Sequence, residues 1–381
     1  MTRAIEADLD RDRRLSAQST AGGADNVVGI VLAGAYPSAD GMFSISVPRP
    51  LLPVAQIPVI AYVLRWLRDG SVERATICAN SASRAISACI RDGSSLGLQI
   101  EYAEDPTPRG PAGCARDAAL AYDADTFVVV EATVIPDLDL PALVSAHRTS
   151  GAAVTTVVHY AARGSAGESR VATPAGMYVF ARRALELVPP FGFQDIKEHL
   201  LPLLGRRHER VAAYSSPKFS PRVLNAETYL AVNHWMIERM PGHQMFERWG
   251  PPTIADDVVA HPSADIHPTA RTIGPAVFGP RVSIGANALI VGPTSLGADT
   301  RVADGAVVSR SVIWNDSHVG EHAFVDASVV GSRIAIDAGV ALHGEVRMNR
   351  VKPGLLPWRL VPHVPPLRPA PARSMADLAI P

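Results

Sequence analysis

The feature that most constrains this chain is a six-residue repeat of apolar side chains in its C-terminal third. Beyond Pro252 these residues recur at every sixth position, with one one-residue slip, at Ile284, Ile290, Leu296, Val302, Val308, Ile313, Val319 and Val325. Small residues follow many of them. Steps of six with small residues at the turns are typical of a parallel β-helix, in which flat coils stack one apolar side chain on the next. Segment 262–345 is therefore predicted to form a left-handed parallel β-helix of hexapeptide repeats.

Residues 27–240 alternate between strand and helix patterns. Apolar runs predict strands at 27–34, 73–80, 98–105, 126–135 and 152–160, and helical spacing predicts helices at 58–69, 81–92, 112–123 and 139–151. This order predicts an α/β domain with a doubly wound, mostly parallel sheet. Because ligands of such sheets bind beyond the carboxyl ends of the strands, we expect a site in the loops after Gly34, Asp105 and Val130.

Three further segments complete the predicted organisation. Residues 1–26 are charged and rich in Ser, Ala and Gly, which favours a disordered tail, and 241–261 read as a linker. Residues 346–381 form a proline-rich tail, which includes part of the chain's 32 prolines. Proline removes backbone donors and prevents a regular helix there, so we expect an extended strap packed on the body.

Composition excludes several classes of protein. The 36 basic and 37 acidic side chains leave no excess of positive charge for binding duplex nucleic acid. No apolar run reaches the ~18 residues that a membrane span needs, and no signal peptide is evident, so the cytoplasm is the expected location. The three cysteines form no CxxC pair, which indicates neither a disulfide framework nor a zinc site.

Ordered landmarks along the chain carry a family resemblance. VLAG at 31–34 is followed, after thirteen residues, by PRPLLPVAQIP at 48–58. Further landmarks are PTPRGPAG at 106–113, DLDL at 137–140, AGMYVF at 175–180, DIKEHLLPLL at 195–204, ETYLAVN at 227–233 and SVIW at 311–314. The chain resembles the sugar-1-phosphate nucleotidylyltransferases, in particular mannose-1-phosphate guanylyltransferases and related NDP-sugar synthases. The resemblance implies a reaction of a nucleoside triphosphate with a sugar 1-phosphate, assisted by Mg²⁺.

The glycine-rich loop of the family, LAGG-x-GTRL, is altered in this chain. Ala35 and Pro37 replace its two glycines, and Ala39 stands at the position of its arginine. Proline has no N–H to offer a phosphate, and alanine carries no charge. The resemblance therefore predicts that triphosphate binding through this loop is lost.

The two metal-binding aspartates of the family are also replaced. The first falls at Thr133 and the second at Arg222. The Arg222 cation can mimic the charge of the metal, but it cannot coordinate a metal ion. Glu131, two residues before Thr133, is the weak remaining candidate as an Mg²⁺ ligand. An active enzyme would have to use Glu131 or Asp137.

A deletion removes the sugar side of the family's pocket. Only residues 156–174 separate Thr155 from the AGMYVF strand, so the family's E-K-P segment, whose lysine grips the sugar phosphate, has no counterpart. Arg163 and Arg170 are the only basic residues that this region offers.

The nucleotide side of the pocket retains more of the family pattern. Arg49 keeps the positive charge of the family's phosphate-binding lysine. Asp105 is either a base-binding carboxylate or a turn-initiating residue before Pro106, and Arg109 is either a solvated loop charge or a ligand. The residues predicted to bind a nucleotide are Leu32, Ala33, Gly34, Arg49, Asp105 and Gly110.

Three functions follow from these patterns. The first is a catalytically impaired family member that binds a nucleotide or nucleotide sugar and acts through assembly, either as a homo-oligomer or with an active paralogue, by way of the β-helix. The second is a divergent, active NDP-sugar synthase. The third is a hexapeptide acyltransferase with a histidine as general base, for which the candidates are His318, His322 and His343.

Overall fold

The protein is described by a computed structural model, which covers residues 26–34, 47–80, 83–104, 107–160, 172–216, 218–239 and 257–349. The predicted N-terminal tail up to residue 25, most of the 241–261 linker and the tail beyond residue 349 lie outside these ranges. In the described part of the chain, no helix combines the length and apolar character needed to cross a membrane.

The described strands of the α/β domain are β1 (Val27–Leu32), β2 (Pro53–Val54), β3 (Ile57–Pro58), β4 (Arg74–Ala79), β5 (Gln99–Glu104), β6 (Thr126–Glu131), β7 (Val154–Tyr160), β8 (Ala172–Ala181) and β9 (Val211–Ser215). Seven of them form one sheet in the order β5-β4-β1-β6-β8-β7-β9, and β2 pairs with β3 in a short hairpin. The predicted mostly parallel sheet is confirmed. Only β8 runs antiparallel to its neighbours β6 and β7.

The described helices are α1 (Val59–Asp69), α2 (Ser83–Ile90), α3 (Gly110–Ala119), α4 (Leu140–Ser150), α5 (Arg182–Glu186), α6 (Leu201–Arg206) and α7 (Ala226–Glu238). Short 3₁₀ turns cover Arg49–Leu51 and Ser94–Leu96, and a π-helical turn covers Ile196–Leu200. Local sequence sets their ends. Asp139 caps α4 by accepting a hydrogen bond from the Ala142 N–H at 2.8 Å. Asn225 and Thr228 form a capping box that starts α7.

The predicted β-helix is confirmed as three parallel sheets. The first contains β10 (Val258–Ala260), β13 (Ala276–Phe278), β16 (Thr294–Leu296), β19 (Val312–Ile313), β22 (Val329–Val330) and β25 (Val346–Arg347). The second contains β11 (Asp265–Ile266), β14 (Ser283–Ile284), β17 (Arg301–Val302), β20 (His318–Val319) and β23 (Ala335–Ile336). The third contains β12 (Arg271–Ile273), β15 (Leu289–Val291), β18 (Val307–Ser309), β21 (Phe324–Asp326) and β24 (Ala341–His343). Strand pairing thus begins at Val258, four residues before the predicted start of 262.

The stacked apolar series forms the interior of the β-helix. Ile284, Ile290, Val308 and Val319 belong to one buried cluster, as the six-residue repeat predicted. Equivalent positions on successive coils are separated by eighteen residues in the first coils, as in the Arg281–Ser263 contact. In the later coils they are separated by seventeen residues, as in the Ala298–Asn315 contact. The one-residue slip in the sequence therefore marks a corner that is one residue shorter.

One face of the β-helix packs on the α/β domain. The middle residues of the first sheet, among them Val277 and Val312, share a hydrophobic cluster with Tyr229 of α7. The Trp314 indole N–H donates to the Tyr229 hydroxyl at 2.9 Å, and the Gln56 amide of the β2–β3 hairpin donates to the Ser295 hydroxyl at 2.6 Å. The hairpin and α7 thus connect the two domains through both apolar and polar contacts.

Candidate functional site

The strand ends that precede the predicted site loops lie along one edge of the sheet. β1, β4, β5 and β6 run parallel, so their carboxyl ends lie side by side. Leu32 at the end of β1 pairs in register with Glu131 at the end of β6. The segments that follow β1 and β6 are therefore neighbours, as expected for a doubly wound sheet.

The structure narrows the part of the β1 loop that is available to a ligand. The Ala33 N–H donates to the Cys78 carbonyl at 2.8 Å, and the Leu32 carbonyl accepts from the Ala132 N–H at 3.0 Å. These two backbone groups belong to the sheet, so Gly34 is the first of the three predicted residues that lies beyond it. A Cβ added to Gly34 would lie 4.0 Å from the nearest atom outside its chain neighbours, the Asn80 amide nitrogen.

Arg49 occupies the start of the 3₁₀ turn that leads into the β2–β3 hairpin. The Leu52 N–H donates to the Arg49 carbonyl at 3.1 Å, which fixes the backbone of this turn. The side chain is half-buried, and no salt bridge between described residues involves it. Its charge thus remains uncompensated by acidic side chains in the described part of the chain.

Gly110 begins α3 in a left-handed conformation, with φ of +73°. A Cβ at this position would come within 2.6 Å of the Gln194 carbonyl oxygen, so close approach of the 189–194 loop requires glycine here. Arg109 stabilises the same junction. Its guanidinium donates to Asp117 at 2.9 Å, to the Gly192 carbonyl at 2.7 Å and to the Pro189 carbonyl at 3.0 Å.

Arg109 is consequently not the solvated loop charge that the sequence offered as one alternative, and its role as a ligand stays a prediction. Its side chain is only 11% exposed, and its hydrogen bonds tie α3 to the 189–194 loop. The Arg109 carbonyl also accepts from the Gln194 N–H at 2.7 Å. Arg109 and Gly110 together build the turn between α3 and the 189–194 loop, and the predicted role of Gly110 in nucleotide binding stays a prediction.

Thr133 and Arg222, far apart in sequence, are adjacent in the structure. The Val223 N–H donates to the Thr133 carbonyl at 2.9 Å, and Val134 and Arg222 form an isolated antiparallel bridge. The Arg222 guanidinium forms an ion pair with the Glu131 carboxylate, and the two side chains are only 22% and 13% exposed. A carboxylate and a cation thus neutralise each other at this end of β6.

Gly176 in β8 provides the space for the Glu131 carboxylate. Its φ is +77°, and a Cβ there would lie 3.0 Å from the Glu131 carboxyl carbon. The absence of a side chain on β8 allows Glu131 to lie between this strand and Arg222. The backbone of β8 at Gly176 therefore covers one side of the Glu131–Arg222 pair.

Two family models match the chain and divide it as the fold does. The model "Nucleotidyl transferase" matches residues 29–166, which hold β1 to β7, and "GMPPB C-terminal domain" matches residues 254–346, which hold the β-helix. The chain belongs to the sugar-1-phosphate nucleotidylyltransferase family.

Several curated relatives of this family align over both domains. A mannose-1-phosphate guanylyltransferase from Mycobacterium tuberculosis is 25% identical, over 74% of this chain and 82% of the relative. A UTP–glucose-1-phosphate uridylyltransferase from Synechocystis is 24% identical, over 77% and 84%. A probable mannose-1-phosphate guanylyltransferase from Oryza sativa is 22% identical, over 86% and 99%. Their names differ in both base and sugar, so similarity alone fixes neither for this chain.

The residues at the family's metal position do not fit Mg²⁺. This ion prefers oxygen ligands, chiefly carboxylates, in octahedral geometry. Thr133 offers a neutral hydroxyl, Arg222 is a cation, and the carboxylate of Glu131 is engaged by Arg222. Asp137, the other candidate ligand, lies 3.3 Å from the Lys218 ammonium. Within the described ranges, no group of three or more His, Cys, Asp or Glu residues is arranged to hold a metal ion.

Several predicted positions lie outside the described residues. They are Ala35, Pro37 and Ala39 of the altered loop, Asp105, and Arg163 and Arg170 in the shortened segment. Their predicted roles stay predictions.

The histidines of the β-helix lie at its surface. The His343 ring nitrogen is 2.9 Å from an Asp326 oxygen, and the same carboxylate accepts two hydrogen bonds at 2.7 Å from Arg310. These three residues form a polar stack on successive coils, which accounts for their contacts without a catalytic role. His322 packs against Gly305, where a Cβ would lie 2.4 Å from its ring, and His318 is exposed on the second sheet.

Sequence reasoning missed two residues near the site. Asn80 directly follows the buried strand β4 and lies beside Gly34. Its signal was available, since a polar side chain at the carboxyl end of an apolar strand is a natural candidate for ligand contact. Gln194 contributes only backbone atoms to the Gly110 turn, so its side chain gave no signal.

Proposed function

We propose that this chain is a nucleotide- or nucleotide-sugar-binding member of its family in which metal-dependent nucleotidyl transfer has been lost, and that it acts as a regulatory or assembly subunit. The observation that supports this proposal best is the Glu131–Arg222 ion pair at the end of β6. Arg222 stands at one of the two positions where the family pattern has an aspartate for Mg²⁺, and Thr133, at the other, lies beside it.

Phosphoryl transfer depends mainly on positioning and on cations that neutralise developing charge. An Mg²⁺ ion would have to displace the Arg222 guanidinium from a carboxylate that is only 13% exposed, and it would find a threonine hydroxyl as its second ligand. Removing one partner of such a pair leaves an uncompensated charge, which is costly. Metal-dependent turnover is therefore disfavoured by this side-chain set.

Binding of a phosphate-bearing ligand does not require the metal. Arg49 keeps a half-buried guanidinium without an acidic partner among the described residues, and guanidinium groups bind phosphate through paired N–H donors. Gly34 leaves space at the end of β1, and the Asn80 amide lies beside it. These groups support binding of a nucleoside diphosphate group in the absence of Mg²⁺.

Calorimetric titration of the full chain with GDP-mannose, GTP, UTP and dTTP, with and without Mg²⁺, tests this proposal. We expect a diphosphate nucleotide sugar to bind equally well under both conditions. Arg49→Gln should weaken binding about tenfold, the effect of losing one charged hydrogen bond. Arg207→Gln, on the exposed end of α6, should leave it unchanged. Pyrophosphate release from a triphosphate and a sugar 1-phosphate would refute the proposal.

The assembly part of the proposal rests on the third sheet of the β-helix. Its outward column begins at Arg271 and continues in register with Leu289, Val307, Phe324 and Ala341, of which Phe324 is 43% exposed. The first sheet is covered by the α/β domain, and the second presents a mostly polar column that includes Arg301 and His318. An apolar column on the remaining face favours contact with a second copy of this chain.

Light scattering coupled to size-exclusion chromatography tests this contact. We expect the wild-type chain to be an oligomer, and Phe324→Glu to shift it toward the monomer because a carboxylate would be buried at the contact. His318→Glu, which adds the same charge to the polar second sheet, serves as the matched control. A monomeric wild type would exclude self-association through the third sheet.

A further inference from the structure

One edge of the large sheet is open in the described part of the chain. β9 (Val211–Ser215) is the last strand of the sheet and pairs there only with β7. All of its residues are exposed or partly exposed, and Val211 is 44% exposed. A strand at the edge of a sheet presents a row of backbone donors and acceptors that can pair with a strand of another chain.

Hydrogen bonds to β7 identify the backbone groups of β9 that face outward. The Arg210 carbonyl accepts from the Ala153 N–H at 2.8 Å, and the Ser216 N–H donates to the Val158 carbonyl at 3.3 Å. Backbone groups of successive residues point to opposite sides of a strand, so the even-numbered residues face β7 and the odd-numbered residues face away. The outward-facing residues are Val211, Ala213 and Ser215.

β9 lacks the features by which proteins protect a sheet edge. Charged side chains, proline and bulges discourage pairing with another chain. The sequence of β9 is VAAYS, and its register with β7 is continuous. β5, the strand at the opposite edge, carries Glu101 and Glu104, which are both exposed, so two copies of that edge would repel each other. Of the two edges, β9 is therefore the one suited to strand addition.

A second copy of β9 complements this edge. In an antiparallel pair with a two-fold axis at Ala213, Ala213 lies opposite its own copy and Val211 lies opposite Ser215 of the partner subunit. All of these residues have outward-facing backbone groups, so the joint can form roughly six hydrogen bonds. Arg210 lies opposite Ser216 of the partner subunit in this register, and like charges do not face each other.

We propose that β9 is a self-association edge, through which two copies of this chain join their sheets across a two-fold axis. This edge belongs to the α/β domain and is separate from the third sheet of the β-helix. A chain with two different two-fold interfaces assembles beyond a dimer. The proposal rests on β9 alone and does not depend on nucleotide binding.

Light scattering coupled to size-exclusion chromatography of the full chain tests this edge. Ala213→Pro removes the outward N–H at the centre of the joint, and an edge strand tolerates proline where its N–H faces solvent. Val211→Lys adds a charge to the same edge without altering the backbone. We expect each variant to halve the molar mass with unchanged circular dichroism. Gln99→Lys, on the exposed side of β5, is the matched control and should keep the wild-type mass.

Phe324→Glu separates the β9 edge from the proposed contact through the β-helix. This variant should remain a dimer, and adding Ala213→Pro should make it a monomer. The β9 proposal is wrong if Phe324→Glu alone is monomeric, or if neither Ala213→Pro nor Val211→Lys changes the mass. A dimeric wild type that Val211→Lys dissociates and Phe324→Glu leaves intact would support the β9 edge and refute the β-helix contact.

Hydrogen exchange distinguishes a second copy from other occupants of the edge. The amides of Val211, Ala213 and Ser215 should exchange more slowly at concentrations where the assembly forms than after dilution. Slow exchange at every concentration would show that another part of the same chain covers the edge. Fast exchange at every concentration would show that the edge stays open. Either result would overturn the proposal.

Discussion

At the scale of single residues, the Glu131–Arg222 pair makes a specific prediction about stability. Arg222→Met removes the only cation paired with Glu131 among the described residues and leaves a largely buried carboxylate. We expect the free energy of unfolding to fall by about 3 kcal/mol, the lower end of the cost of breaking a buried pair, because both side chains keep some exposure. The double variant Glu131→Gln/Arg222→Met should recover part of this loss. Chemical denaturation measures both changes.

An exposed ion pair supplies the control for that experiment. Arg333 and Asp316 lie 3.7 Å apart, with side chains 51% and 63% exposed. Because solvent screens such pairs, Arg333→Met should change stability little. If Arg222→Met were equally harmless, the carboxylate would not depend on its partner, and the argument against metal binding there would weaken.

His147 makes a prediction about pH. Its side chain is 3% exposed, and its Nδ1 lies 2.8 Å from the Thr155 hydroxyl. Burial, and then the charges of Arg183 and Arg148, lower the pKa of His147 from 6.5 to about 4. Between these two values the unfolded chain binds a proton that the folded chain does not. Stability should therefore fall as pH falls through this window, by at most about 3 kcal/mol.

Urea denaturation at pH values from 7 to 4.5 measures this dependence. His147→Asn should be less stable than wild type at pH 7 but should show a shallower loss of stability toward low pH. His318→Asn, at an exposed position of the second β-helix sheet, should keep the wild-type slope. An unchanged slope in His147→Asn would assign the pH dependence to other groups.

At the scale of structural elements, the β2–β3 hairpin holds the most informative substitution. Its turn residues Ala55 and Gln56 have φ of +45° and +68°. A residue other than glycine in the left-handed backbone conformation costs about 1–2 kcal/mol relative to the right-handed one. Here the Gln56 side chain is 7% exposed and bonds to Ser295 of the β-helix, which offsets that cost.

A double-mutant cycle measures this bond. Ser295→Ala leaves the buried Gln56 amide without its partner and should cost about 1–3 kcal/mol. Gln56→Gly removes the amide and relieves the turn, so Ser295→Ala should add little on that background. Additive losses in denaturation experiments would show that the two side chains are not coupled.

The element scale also shows how far the sequence could predict this fold. Apolar periodicity identified the β-helix and the parallel strands because each buried residue contributes to a repeating pattern. It did not give the direction of β8. The short segment between Tyr160 and Ala172 contained that information, since a parallel crossover needs a longer connection and a short one favours antiparallel pairing.

The candidate site was predictable in part for a related reason. The strand ends that carry Gly34 and Glu131 follow from the βα order, because carboxyl ends of parallel strands share one edge. The contact between Glu131 and Arg222 joins residues 91 positions apart and depends on the chain returning beside β6. No local pattern in the sequence encodes the passage of a distant segment beside β6. The charges of Glu131 and Arg222 were therefore visible in the sequence, but their contact was not.

At the scale of the whole molecule, one hydrophobic cluster spans both domains. It includes Val277 and Val312 of the first β-helix sheet together with Tyr229 and Met236 of α7. Because apolar burial of this kind is lost when either domain unfolds, the two should unfold together. We expect a single transition by scanning calorimetry of the wild-type chain, with equal calorimetric and van't Hoff enthalpies.

Val312→Asp tests this coupling. Val312 is 1% exposed, so a carboxylate there would be buried against α7 without a partner and should separate the domains. We expect its thermal unfolding to split into two transitions. Ala335→Asp places the same charge on the exposed second sheet and should preserve the single transition. Two transitions in the wild type would mean that the shared cluster does not make the two domains one cooperative unit. Ligand binding in the α/β domain would then have no stable contact through which to influence assembly at the β-helix.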